Sequence, residues 1–207
     1  IDPQTADAAI FYSISNAQRG LVGIRFGDFL IKRVVDVLAA EFKGIKTFAT
    51  LSPIPGFRDW LLEYLQATEA GHELLSAAER KRLPDWTQGA GDCGQILNVT
   101  NEPGWYLDVE YPEVLKAVLS RLCAHYLGRE KRVGGLAKNP VAHFHLSNGA
   151  RIERLNWLAD TSENGMRQSF GLMVNYLYKR SNIEKNHESY RGSGRIALSS
   201  TLKSMLK

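Results

Sequence analysis

The chain has 207 residues, 44% of them hydrophobic, and a net charge of +4 from 26 basic and 22 acidic side chains. That length accommodates a single domain with its own core, and no apolar run approaches the roughly 18 residues that cross a bilayer. The basic residues are scattered, with Arg80-Lys81-Arg82 the densest run, so the charge describes a solvated surface with a mild pull on anions and gives nucleic-acid binding little support.

Ala8 to Ser15 (Ala-Ala-Ile-Phe-Tyr-Ser-Ile-Ser) predicts a buried strand. A glycine-rich turn follows, from Gln18 to Gly27. Asp28 then suits the N-cap of a helix from Phe29 to about Phe42, with Leu30, Ile31, Val34, Val35, Leu38 and Phe42 at helical spacing and Gly44 beyond its end. Lys46 to Leu51 predicts a second short strand that delivers Ser52. Strand, helix and strand in that order predict a right-handed crossover between parallel strands. Phe57 to Gln66 and His72 to Arg82 predict two helices. Pro84 to Pro103 reads as loop, and Tyr111 to about Leu127 as a helix with Pro112 in its first turn. Val141 to Leu146 and Arg151 to Leu158 alternate like strands around Ser147-Asn148-Gly149. Leu172 to Tyr178 is a further β-prone run. The tail from Lys179 is polar and less regular, with a helix expected within Ile196 to Leu206. There is no internal repeat, and the mixture is α/β.

Two stiffened polar segments stand out. Thr50-Leu51-Ser52-Pro53-Ile54-Pro55-Gly56-Phe57 holds one serine between an apolar run and two prolines; Pro140-Val141-Ala142-His143-Phe144-His145 carries two histidines. Ser52 lacks the Gly-x-Ser-x-Gly elbow of an α/β-hydrolase. Its residue-level readings are a hydrogen-bonding group for a ligand or a capping serine for the helix after Gly56. His143 and His145, two apart on a strand, would share a face. No third ligand at a suggestive spacing supports zinc. General acid or base work needs only one of them, and a satisfied structural histidine needs neither. Tyr176 and Tyr178 read as core or rim residues, or as groups that orient a catalytic partner. Asn156-Trp157-Leu158-Ala159-Asp160 reads as packing at a strand end.

Gly20, Gly23 and Gly27 precede a helix N-terminus, where backbone N–H groups and the dipole suit phosphate. Their spacing fits neither a Walker A loop nor a dinucleotide fingerprint, so a purely geometric turn stands beside a binding turn helped by Arg19 and Arg25. Cys93 and Cys123 form no CxxC pair and no disulfide scaffold, and nothing near Cys93 argues for an activated thiol. There is no basic segment followed by an apolar stretch at the N-terminus, and Ser204-Met205-Leu206-Lys207 is not a peroxisomal ending; the expected location is the cytoplasm.

Taken in order, several segments resemble the malonyl-CoA decarboxylase family. They are Ala9-Ile10-Phe11-Tyr12-Ser13-Ile14-Ser15, Phe29-Leu30-Ile31-Lys32-Arg33-Val34-Val35 and Leu51-Ser52-Pro53-Ile54-Pro55-Gly56-Phe57. Phe144-His145-Leu146 with Asn148-Gly149-Ala150, Asn156 to Asp160, and Gly171-Leu172-Met173 with Asn175-Tyr176 complete the set, which covers nearly the whole chain. The resemblance implies a catalytic domain over residues 1–207 with a GNAT acetyltransferase-like α/β fold, a mixed sheet flanked by helices that lacks the first strands. The family's N-terminal helical domain is expected to be absent from this chain.

The resemblance also implies that Ser52 and His145 are the catalytic pair, with His143 outside it. Val22, Gly23, Ile24, Arg25, Phe26, Gly27 and Asp28 fall where the family contacts malonyl-CoA, and Tyr178 is implied as a hydrogen-bonding support for the histidine. The implied reaction is decarboxylation to acetyl-CoA and CO2 through a thioester enolate, with Ser52 holding the carboxylate and His145 protonating the α-carbon. It needs no metal and no cofactor beyond the CoA of the substrate. No nucleic-acid or membrane partner is expected, and the full-length enzyme is expected to be a homo-oligomer. The competing classes are a CoA-dependent acetyltransferase on the same scaffold, a non-catalytic CoA-binding fragment and, more remotely, a serine hydrolase.

Overall fold

The structure, a computed structural model, describes residues 3–12, 14, 27–67, 74–87, 91–108 and 111–207. Its sheet has five strands: β1 (Ala8–Phe11), β2 (Thr47–Thr50), β3 (Ser52–Pro53), β4 (Arg151–Asn156) and β5 (Met173–Leu177). β1 and β2 run parallel, Ala8 opposite Thr47 through Phe11 opposite Thr50, as the intervening helix α1 (Gly27–Glu41) requires. β5 is the hub, pairing antiparallel with β2, β3 and β4. β4 runs along one edge of it, and β2 and β3 share the other, Ala49 opposite Leu177 and Ser52 opposite Val174. The break between β2 and β3 is Leu51, whose N–H turns to Phe11 O of β1 (2.9 Å).

Alternation along β5 sorts its two faces. Val174 and Tyr176 are buried in the main core, with Tyr178 just past the strand, whereas Met173, Asn175 and Leu177 are only half-buried. The core face is covered by α2 (Phe57–Ala67), α4 (Gly91–Asn101), α5 (Tyr111–Gly128) and α6 (Pro140–Ser147), through side chains such as Phe57, Leu61, Ile96, Leu115, Leu119 and Leu146. The other face meets α9 (Ser200–Met205) and leaves a cleft of about 840 Å³ lined by Ile10, Ala49, Leu155, Asn175, Leu177 and Met205. α3 (Ala77–Arg82), α7 (Glu163–Ser169) and α8 (Ile183–Ser193) complete the helices among the described residues. No helix among them is long and apolar enough to cross a membrane.

Several expectations need correction. The first strand is shorter than Ala8 to Ser15 and is half-exposed rather than buried, with Ile10 at 49% exposure. α1 is already under way at Gly27, so Asp28 stands in its first turn and not at its N-cap, and Leu30 faces solvent. The helix expected from His72 forms only from Ala77, started by a capping box between Ser76 and Glu79.

Pro84 to Pro103 is not all loop. α4 forms there despite two glycines and β-branched residues, because tertiary contacts outweigh propensity. Ile96 and Val99 enter the core, and Asp92 accepts the N–H groups of Leu74 (2.6 Å) and Leu75 (2.7 Å) and an ion pair from Arg80 (2.6 Å). The Arg80 hydrogen bond, above all, holds the Asp92 carboxyl below the usual carboxylate range. α7 and α8 were also not foreseen.

The largest correction concerns Val141 to Leu146, which is a helix. Asn139 caps it, its Oδ1 accepting from Ala142 N–H (2.8 Å), and Pro140 takes the first-turn position where its missing N–H costs nothing. Ser147-Asn148-Gly149 therefore joins a helix to a strand and is not a hairpin. Gly149 has φ +82°, and a Cβ there would collide with the Ile183 backbone carbonyl.

Candidate active site

The helix at 140–147 changes the geometry of the two histidines. At about 100° per residue, neighbours two apart point to opposite sides of a helix. His143 faces outward, with Arg132 Nη2 at 2.7 Å from its Nε2 and Tyr190 Oη at 2.8 Å from its Nδ1. Arg132 can only donate, so Nε2 accepts and Nδ1–H donates to Tyr190. His145 faces inward and is buried. The shared face expected for the pair does not exist.

His145 lies between Tyr178 and Ser52. Its Nδ1 is 2.8 Å from Tyr178 Oη and its Nε2 is 3.3 Å from Ser52 Oγ. The ring stacks on Tyr176, with centroids 4.3 Å apart and planes 22° from parallel. β5 thus supplies both the platform beneath the imidazole and, just beyond its end, the phenol at its back. Burial lowers the His145 pKa to about 3, so the ring is neutral at physiological pH. Its Nδ1 partner is a phenol and not the carboxylate that a Ser-His-Asp hydrolase uses.

Ser52 is equally held. Its backbone pairs with Val174, and its Oγ–H donates to Thr50 Oγ1 at 2.9 Å. Thr50 Oγ1 also accepts the backbone N–H of Tyr176 (3.2 Å), while Thr50 O accepts from Asn175 Nδ2 (2.6 Å). Ser52 therefore does not cap the helix after Gly56.

Asn139 joins the two halves of the site. The carboxamide that caps α6 through Oδ1 also donates from Nδ2 to Pro55 O (2.8 Å), and Tyr126 Oη donates to the same carbonyl (3.2 Å). One buried residue ties the histidine's helix to the serine's turn.

A cavity of about 180 Å³ opens over the Ser52–His145 pair, walled by Tyr12, Ile14, Leu51, Pro53 and Val141. It is small and mostly apolar, the size of an acyl group rather than of a nucleotide. Larger concavities lie elsewhere, one of about 570 Å³ beside Trp105 and Tyr111 and the 840 Å³ cleft on the outer sheet face. Neither contains the serine–histidine pair, so the chemistry and not the volume selects the site.

Val22, Gly23, Ile24, Arg25 and Phe26 lie outside the described residues, as do Gly20 and Arg19. Gly27 and Asp28 form the start of α1. Among the described residues no three His, Cys, Asp or Glu side chains converge to hold a metal ion. Burial, with Asp92 adding to it, raises the Cys93 pKa, and burial raises that of Cys123 far more, so neither is an activated thiol. Sequence reasoning missed Thr50 and Asn139 as parts of the site. The Asn139-Pro140 pair was a readable helix-start signal; nothing in the sequence singles out the hydroxyl of Thr50.

A family model described as the malonyl-CoA decarboxylase C-terminal domain matches residues 1–207. The chain is 44% identical over 202 residues to the mitochondrial malonyl-CoA decarboxylase of Rattus norvegicus, covering 96% of this chain and 41% of that protein. To the counterpart from Anser anser anser it is 42% identical over 201 residues, 96% of this chain and 40% of that one. Among solved structures it is similar to malonyl-CoA decarboxylase from Rhodopseudomonas palustris (TM-score 0.83, 42% identity, 98% of this chain and 43% of that one). The enzyme from Agrobacterium vitis is matched with the same TM-score of 0.83 and 42% identity, over 100% of this chain and 47% of that one. The chain spans about two-fifths of the length of the curated relatives it matches.

Proposed function

The chain belongs to the malonyl-CoA decarboxylase C-terminal domain family, and on that premise we propose that it is the catalytic domain of an enzyme that converts malonyl-CoA to acetyl-CoA and CO2. The observation that carries this reading is the buried pair of Ser52 Oγ and His145 Nε2, 3.3 Å apart, at the floor of an acyl-sized cavity. The scaffold is read as GNAT-like, in keeping with the parallel pair β1 and β2 and the helix α1 between them. Residues 22–28, at the glycine-rich turn, are the proposed contacts to the CoA portion.

When the carboxylate leaves as CO2, the electron pair of the broken C–C bond enters the thioester carbonyl and gives an enolate. Ser52 donates a hydrogen bond to the malonyl carboxylate and fixes it out of the thioester plane, the alignment that bond cleavage needs. The described cavity wall of Leu51, Pro53 and Val141 offers that carboxylate no cation, which favours its departure as a neutral molecule.

His145 then delivers a proton to the α-carbon. With a pKa near 3 it does not act as an imidazolium. It gives up the proton on Nε2 while Nδ1 takes one from Tyr178 Oη, at 2.8 Å. The negative charge moves from the enolate to the tyrosine oxygen, which solvent reprotonates. One proton is consumed per turnover, as the stoichiometry demands.

The test is CO2 release from malonyl-CoA with no acyl acceptor present. Ser52→Ala and His145→Asn should each lower kcat by about 10²–10⁴-fold, the usual contribution of a positioned acid or hydrogen-bonding group. Near-normal turnover in both variants would sink the roles given to Ser52 and His145, and no CO2 release by the unmodified protein would sink the activity. Turnover that depends on an amine acceptor would reassign the domain to acetyl transfer.

A further inference from the structure

We propose that Thr50 is a positioning residue that controls where the Ser52 proton points and, through it, which nitrogen of His145 carries hydrogen. A continuous hydrogen-bonded line crosses the buried site. It runs from Tyr178 Oη to His145 Nδ1 (2.8 Å), from Nε2 to Ser52 Oγ (3.3 Å), and from Ser52 Oγ–H to Thr50 Oγ1 (2.9 Å). At its far end sits the backbone N–H of Tyr176, donating to Thr50 Oγ1 at 3.2 Å. Thr50 is fully buried, so water does not reach its hydroxyl to replace it in the line.

Donor and acceptor capacities set where each hydrogen along this line points. A peptide N–H only donates, so Thr50 Oγ1 is anchored as an acceptor by Tyr176. It accepts the Ser52 hydrogen as well. Ser52 then turns a lone pair towards His145, and Nε2 must carry the ring's proton. Nδ1 is left to accept from Tyr178. That is the tautomer that can deliver a proton from Nε2.

When a carboxylate enters, Ser52 swings its hydrogen onto it, and the Thr50 hydroxyl turns to donate into Ser52 Oγ. The serine stays oriented, and its hydrogen is kept off His145 in both states. A hydroxyl can switch between accepting and donating in this way; a methyl of the same shape cannot. Without the hydroxyl, Ser52 is free to donate to Nε2, which reverses the line and leaves the ring protonated on Nδ1. The switching half of this inference rests on the decarboxylase reading above; the tautomer half does not.

The test combines ¹⁵N NMR of the histidine side chains with kinetics, using His145→Asn to assign the His145 signals. The unmodified protein should show the Nε2–H tautomer, and Thr50→Val should shift His145 towards Nδ1–H. Thr50→Val should lower kcat about tenfold, the worth of one lost hydrogen bond, with KM changed less than about twofold, while Thr50→Ser returns kcat to within about threefold of the original. An Nδ1–H tautomer in the unmodified protein overturns the proposal, and this holds even if Thr50→Val fails to fold. An unchanged tautomer and kcat in folded Thr50→Val overturns it too. Full turnover in Ser52→Ala would instead defeat the carboxylate-holding role of Ser52, and no CO2 release from malonyl-CoA by the unmodified protein would defeat the decarboxylase reading, either one leaving the tautomer result intact.

Discussion

His145 links the proposed function to acid stability because its ring is buried. In the unfolded chain it titrates near its ordinary 6.5, and in the folded protein near 3. Between those values the unfolded chain binds a proton that the folded one does not. Stability from this group is therefore whole above pH 6.5 and drains away as the pH falls towards 3, by at most about 1.4 kcal/mol per pH unit. Thermal unfolding followed from pH 7 to pH 4 should show a steeper loss in the unmodified protein than in His145→Asn; equal slopes would mean the ring is not held neutral by burial. The activity profile should likewise show no inflection near 6.5 from this residue. An imidazolium acid would give one.

At the scale of elements, the turn that ends α6 is the most demanding. Gly149 sits at φ +82° with its α-carbon against the Ile183 carbonyl, so a side chain meets both backbone strain and a clash. Gly149→Ala should cost about 2–4 kcal/mol, read as a lower urea midpoint. CO2 release should fall with it if the turn also sets the end of α6 and hence His145. β2, β4, β5, α2 and α5 were legible because their apolar periodicity is strong and their punctuation clear. α6 was not: Val-Ala-His-Phe-His-Leu alternates like a strand, and the alternation outweighed the Asn139-Pro140 start signal. α4 and α8 are poor in helix-favouring apolar pattern, and contacts distant in sequence hold them. Of the site, Ser52, His145 and Tyr178 were legible through the family resemblance. Thr50 and Asn139 act through one hydroxyl and one carboxamide whose partners are set only by the fold.

At the scale of the whole molecule, the C-terminal segment seals the outer edge of the sheet. Ile152 N–H donates to Ala197 O, and Ser199 N–H donates to Ile152 O, both at 2.9 Å, while Leu202 is buried beyond them. Removing residues 196–207 strips this edge and should lower stability by about 2–4 kcal/mol. Urea unfolding of the shortened chain checks this, and an unchanged midpoint would mean the segment is only adhering to the surface.

The central position of β5 has a consequence for how the protein is made. The strand that joins β2 and β3 to β4, seats the histidine ring on Tyr176 and anchors Thr50 comes from residues 173–177, late in the chain. A ribosome delivers Ser52 early and His145 much later, yet neither has its surroundings until this last strand emerges. The β1–β2 pair must wait as a two-stranded ribbon, which is marginal on its own, until residues 173–177 are made. Catalytic competence should therefore arrive in one late, cooperative step, and a nascent chain halted before Met173 would hold the serine and the histidine without a site.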